Sequence, residues 1–330
     1  MESLWQSVVE KTADPRAGIF GPNSITWKIN RESALFLGAG RASLLQLAHP
    51  WVAAALDQHS NLRNDPLARF HNTFRVVFTM VFGSRGQALA ASRSLYRLHT
   101  RIRGGLPAPV AGYAEGSPYQ ANEMHALIWV FATLVDSAVM AYDAVLHLPQ
   151  QQRETYYIES KTMAALFGIP AEVLPPDWNA FQAYVDDMVN SDRLGVNALS
   201  RELAYRVLHG RGSWVPVPAW YRDLTAAWMP ERLRREFELP FDSSIQASAA
   251  RAGARLPRLY ARLPIALRLV GPFWEARSRM QHRAPGLITQ ASNRFWMGQS
   301  RLMFTELEGE LLTKPRIACA ATDEPGCIRG

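Results

Sequence analysis

Five polar residues between positions 69 and 103 are spaced for chemistry: Arg69, Asn72 and Thr73, then His99 and Arg103. Arg69 and Thr73 are four apart with Asn72 between them, and His99 and Arg103 are also four apart. Residues three or four apart share one face of a helix. If both runs are helical and face each other, an imidazole, a hydroxyl, an amide and two guanidinium groups surround one interior space. Such a ring of groups suits the binding of a cofactor. The competing reading is a hydrogen-bonded core histidine among solvated arginines, and spacing alone leaves both open.

The elements that must position them read as two helices joined by a glycine turn. Asp65-Pro66 is a start signal, because the carboxylate caps free N–H groups and proline is tolerated in the first turn. Leu67, Phe70, Phe74, Val77, Phe78 and Val81 then recur at helical intervals, so one face is apolar and buried, and Gly83 stops the run. The second helix is predicted from about Gln87, with Ala91, Leu95, Leu98 and Ile102 as its stripe and Gly104-Gly105 as its end. On this reading His99 points towards the core, and Arg103 stands one turn further along the same face.

The order of motifs along the chain carries a resemblance. Trp27-x-x-x-Arg31-Glu32 is followed by Gly38-Ala39-Gly40-Arg41-Ala42-Ser43-Leu44-Leu45-Gln46-Leu47-Ala48-His49-Pro50, then His59-Ser60 and Asp65-Pro66-x-x-Arg69-x-x-Asn72-Thr73. His99-x-x-x-x-Gly104, Tyr119-x-Ala121, Trp129-Val130, Asp136-Ser137, Gly168-Ile169-Pro170 and Leu174-Pro175 continue it. Over roughly residues 20 to 240 this resembles the oxygenase family that includes fungal MpaB and the bacterial latex-clearing rubber oxygenases.

The resemblance implies an all-α, multi-helix single domain with a globin-like core around haem b. It implies His99 as the proximal iron ligand, with Arg103 orienting it or pairing with a propionate. Arg69 and Thr73 fall on the distal side, against bound dioxygen. Asn72 stands where the rubber oxygenases carry a lysine able to cap the iron, and an amide is a poor iron ligand, so an open distal position is expected. His71, His49 and His59 are the rival ligands, with His71 rotated away from the face of Arg69 and Thr73. No glutamate matches the proposed catalytic base of those enzymes; the region before Arg69 offers only Asp57. The expected function is haem-dependent oxygenation of an apolar small molecule such as a lipid, terpenoid or polyketide. The alternatives are a helical carrier for such ligands and a peripheral membrane protein.

Composition sets the wider frame. A chain of 330 residues, 48% hydrophobic and 20% charged, can bury one large helical core. The net charge of +7 is nearly all arginine, since lysine occurs only at Lys11, Lys28, Lys161 and Lys314. Nucleic-acid binding needs these groups on one exposed face, whereas the arginines of the first helix border core positions. No P-loop, dinucleotide fingerprint, paired metal-binding cysteines or serine-hydrolase elbow is present. Cys319 and Cys327 sit in the C-terminal tail, and the first residues lack a signal-peptide pattern, so a cytoplasmic location is expected.

Residues 1–26 read as an arm, 27–312 as the helical domain and 313–330 as a loose tail. Asn30 is read as capping a helix to about Ala48. Gly38 and Gly40 within it signal close approach of another helix or of a flat ligand. Met124 to Tyr142 is long enough to cross a bilayer, but Asp136 near its middle would cost about 3 kcal/mol in lipid. A buried central helix is expected instead, with Asp136 partnered by a core arginine or a helix terminus. From Arg251 to Arg283 eight arginines face Glu275 alone, and Pro257, Pro264 and Pro272 are expected to break any long helix. That segment is either a covering layer with solvated arginines or a surface that lies on an anionic membrane. A last helix is expected over roughly Thr289 to Leu312.

Overall fold

Helical periodicity dominates the chain, and 69% of it is helical in the computed structural model, which describes residues 1–60, 62–210 and 216–302. In order, the elements are α1 (Glu2–Lys11), α2 (Ile25–Asn30), a 3-10 turn (Ser33–Gly38), α3 (Ala39–Leu47), α4 (Pro50–His59), α5 (Pro66–Phe82) and α6 (Arg85–Arg101). A small antiparallel pair, β1 (Arg103–Gly105) and β2 (Pro118–Gln120), follows, then α7 (Met124–Leu146), α8 (Gln150–Phe167) and a 3-10 turn (Ala171–Val173). The remainder is α9 (Trp178–Asn190), α10 (Ala198–His209), α11 (Ala219–Trp228), α12 (Glu231–Glu236), α13 (Ser243–Arg262), α14 (Ile265–Arg268), α15 (Gly271–Met280) and α16 (Leu287–Met297). The fold is all-α.

The central element is α7. Its most apolar window is 72% buried inside the protein, which marks a core helix. Asp136 on it is paired with Arg41 of α3, Nη1 to Oδ2 at 2.7 Å, and accepts from Gln182 Nε2 at 3.0 Å. Arg41 also donates to Ser137 Oγ and to the Trp228 carbonyl, so both buried charges are satisfied. Trp129 and Trp27, both fully buried, donate their indole N–H groups to the carbonyls of Leu45 and Val81, tying α7 to α3 and α2 to α5.

Several expectations are corrected. Residues 2–11 are a helix that buries Trp5 and Val8 rather than an arm, with the Trp5 indole donating to Ser92 Oγ at 2.7 Å. Asn30 ends a helix instead of capping one; Ser24 caps α2, and a 3-10 turn separates it from α3. Gly38 and Gly40 are helix-crossing positions. A Cβ at Gly38 would lie 2.5 Å from the Ser137 carbonyl oxygen, and one at Gly40 would lie 2.7 Å from Thr225 Oγ1. Pro257 sits inside α13, where the carbonyl it leaves without a partner belongs to Gly253, a position with open space around it. The last helix stops at Met297, because Gly298 adopts φ +70°. Cys319, Cys327, the tail 313–330 and the Met303–Leu312 end expected for that helix lie outside the described residues.

Candidate functional site

The site is built on the α5–α6 hairpin. Asp65 caps α5 by accepting from Ala68 N at 2.8 Å, and Ser84 with Gln87 forms a capping box for α6. Phe70, Phe74, Phe78 and Phe82 run down one face of α5, with successive ring centroids 4.6, 5.5 and 5.9 Å apart. They pack on Phe36, which is stacked on Trp296 of α16 at 3.7 Å. That aromatic ladder fixes the rotation of the helix. The neighbouring face carries Arg69, Thr73, Val76 and Met80, and the last two join Leu89 and Ala91 of α6 in one apolar cluster.

Because the hairpin is antiparallel, Arg69 and His99, at similar distances from the Gly83 turn, come to lie opposite each other. Burial is the main cause that pushes the His99 imidazole down to about 4, and the Arg69 charge adds to it. Arg69 itself is lowered by burial alone. Neither side chain has a hydrogen-bond or carboxylate partner among the described residues. Yet both retain accessible surface, and every residue from Asp65 to Arg75 is only half-buried. Both side chains are thus desolvated by the protein around them while part of their surface stays accessible.

The other expected groups divide. Asn72 is half-buried on the same helix and has no hydrogen bond to a described residue. Thr73 donates its hydroxyl to the Arg69 carbonyl at 2.9 Å, so to any other group it offers lone pairs. Arg103 is the clear departure. α6 ends at Arg101, Ile102 is extended (ψ 107°), and Arg103 begins β1 opposite Gln120 with its side chain exposed. The glycines after it serve the strand crossing: a Cβ at Gly104 would meet Gln58 Oε1 at 2.5 Å and Tyr119 Oη at 2.8 Å. Arg103 therefore does not stand one helical turn beyond His99.

The rival histidines are engaged elsewhere or set apart. His71 Nε2 lies 3.0 Å from the Phe295 carbonyl of α16, on the far side of α5 from His99. His59 Nε2 lies 3.1 Å from the Arg103 carbonyl. His49 is 1% exposed, with Nδ1 unpartnered and Trp51, whose Nε1 is also unpartnered, at 5.8 Å between rings. Burial, with His125 and Arg193 nearby, pushes His49 down to about 4. Spacing did not reveal this second polar spot, because Tyr113 and Arg193 reach it from distant loops. Asp57 is paired with Arg63, which also holds both Glu202 oxygens at 2.8 Å, so its carboxylate is committed.

Among the described residues no three His, Cys, Asp or Glu side chains gather as a metal cage. The haem b that the resemblance implies would need one axial ligand and would carry carboxylates, and the His99 imidazole and Arg69 guanidinium, both without a side-chain partner among the described residues, fit such a group. Two surface clefts, of about 780 Å³ at Asp186, Arg232 and Arg235 and about 400 Å³ at Glu275, Arg279 and Arg283, are charged and lie elsewhere.

The family described as ER-bound oxygenase mpaB/B'/Rubber oxygenase, catalytic domain, has a family model that matches residues 27–263 of this chain. That span contains the whole hairpin and all five residues. No curated protein and no solved structure matches the chain.

Proposed function

The chain belongs to the catalytic-domain family of MpaB and the rubber oxygenases, and from that premise we propose that it is a haem b-dependent oxygenase of an apolar small molecule, with His99 as the iron ligand. The observation that carries this reading is the placing of a neutral imidazole beside a desolvated guanidinium across the α5–α6 hairpin, neither of them with a side-chain partner among the described residues. Bound haem b supplies the activation of dioxygen, and the protein supplies ligation, polarity and exclusion of water.

His99 is kept neutral by burial and by Arg69, so a ring nitrogen lone pair is available at neutral pH. Arg69 is the one strong donor we assign to the space beside it. With no carboxylate beside it among the described residues, its N–H groups can donate to an oxygen atom of the ligand. Thr73 accepts rather than donates, since its proton is held by the Arg69 carbonyl. Asn72 would offer a bound group an amide, which hydrogen-bonds but is a poor iron ligand. Arg103, exposed on β1, would be available to pair with a carboxylate of the cofactor. The half-buried Leu95 and Leu98 of α6 offer the substrate an apolar wall.

The test is mass spectrometry of products formed under isotopically labelled dioxygen from a panel of terpenoids, fatty acids and polyketide phenols. Label incorporated by the wild-type chain and not by His99→Ala supports the reading. Tight binding of the same compounds with no incorporation would favour a carrier.

A further inference from the structure

The arginine-rich segment buries Leu269 but leaves the aliphatic side chains of its tip exposed. Leu259 is 55% exposed, Leu263 39%, and Ile265 and Leu267 62% each. They belong to the end of α13 and to α14, where every residue from Arg258 to Leu267 except Tyr260 is exposed. This tip is not loose. Tyr260 is buried and donates to Glu32 Oε2 at 2.9 Å, Leu256 packs beside it, and Val270 N donates to the Arg31 carbonyl at 2.9 Å. The protein thus holds four aliphatic side chains in water on a fixed support, an arrangement that loses hydrophobic stabilisation unless something covers them.

Charge identifies the cover. Arg255, Arg258 and Arg262 share the outer face of α13 with Leu259, and none has a partner among the described residues. No acidic residue occurs between Asp242 and Glu275. A second exposed pair, Leu287 at 83% and Ile288 at 75%, opens α16, whose Thr289 and Asn293 pack on Gly271 just after the tip. Aliphatic groups inserted among unpaired guanidiniums match a fluid anionic surface, whose headgroups adjust to the cations while the acyl chains take up the side chains. A protein partner would need carboxylates at fixed places against three flexible arginines.

We propose that this tip, Leu259, Leu263, Ile265 and Leu267 rimmed by Arg255, Arg258 and Arg262, seats the protein on an anionic lipid bilayer. Its use rests on the apolar-substrate reading, because such a substrate partitions into the bilayer; the docking itself does not. The experiment is co-sedimentation of the full chain with vesicles of phosphatidylcholine alone or mixed with phosphatidylglycerol, scored without any activity assay. Binding should require the anionic lipid and weaken with salt. Each arginine contributes roughly fivefold to partitioning, so Arg258→Gln with Arg262→Gln should lower it by more than about tenfold. Ile265→Asp with Leu267→Asp should abolish it, with unchanged circular dichroism because both side chains are in solvent. Ile158→Asp, an exposed aliphatic on α8, should leave it unchanged. Failure to bind mixed vesicles, equal binding to both compositions, or self-association through the tip without vesicle binding would each overturn the proposal.

Discussion

Arg69 faces His99 across the α5–α6 hairpin, and its charge adds to burial in holding the imidazole down to about 4. Two basic side chains placed together with no carboxylate beside them among the described residues oppose folding.

Replacing the guanidinium separates the two roles. Arg69→Met removes an unpaired desolvated charge at similar length, so the fold should be unchanged or more stable by up to about 2 kcal/mol. The His99 pKa, read by NMR in the cofactor-free chain, should rise by the smaller part of its shift, since burial, the larger cause, remains, while oxygen-dependent turnover falls by more than tenfold, at least about 1.4 kcal/mol of transition-state stabilisation. A large loss of stability would mean that Arg69 holds the structure together.

Thr73 makes a narrower claim. Its proton is committed to the Arg69 carbonyl, so Thr73→Val should change stability by less than about 1 kcal/mol. Because the hydroxyl presents lone pairs and not its proton, Thr73→Val should leave autoxidation at the wild-type rate, as should Thr73→Ser. Faster autoxidation in the valine variant alone would show that the hydroxyl releases the Arg69 carbonyl and donates to oxygen.

Gly38 tests whether the glycine pair serves packing or a ligand. A methyl group there meets the backbone oxygen of Ser137 at 2.5 Å, which cannot move without shifting α7. Gly38→Ala should cost about 1–3 kcal/mol in chemical denaturation, with haem affinity of the folded fraction unchanged. Normal stability with lost cofactor would point to a ligand at that crossing.

What the sequence made legible follows from locality. The α5 start at Asp65, the core position of His99 and the burial of α7 depend on caps and periodicity within a few residues, and each was readable. The need of Asp136 for a partner was readable too, although Arg41 as that partner was not. Arg103 was misplaced because a glycine pair signals a helix end and a close strand crossing equally well. Only contact with Tyr119 and Gln58, fifteen or more residues away in the chain, decides between them. His49 and Trp51 gave no signal, because their surroundings come from loops around Tyr113 and Arg193.

His49 sets an acid limit on stability. Folded, its imidazole takes a proton only near pH 4, whereas the unfolded chain takes one near 6.5. Between those values the unfolded state binds more protons, so stability falls as pH drops from 6.5 to 4, by about 3 kcal/mol in total from this group. His49→Gln should flatten the pH dependence of urea midpoints across that window by up to one proton. Parallel wild-type and variant curves would show that His49 protonates freely in the folded chain.

The central claim, that His99 ligates haem in the α5–α6 hairpin, is tested most directly by the visible spectrum of the purified chain titrated with haemin. The expected result is a Soret band that saturates at about one haem per chain, is lost in His99→Ala with helical circular dichroism intact, and responds to added imidazole because the Asn72 amide is a poor iron ligand. A wild-type chain that stays colourless through the titration, or a His99→Ala chain that takes up haem with the wild-type spectrum, would contradict it.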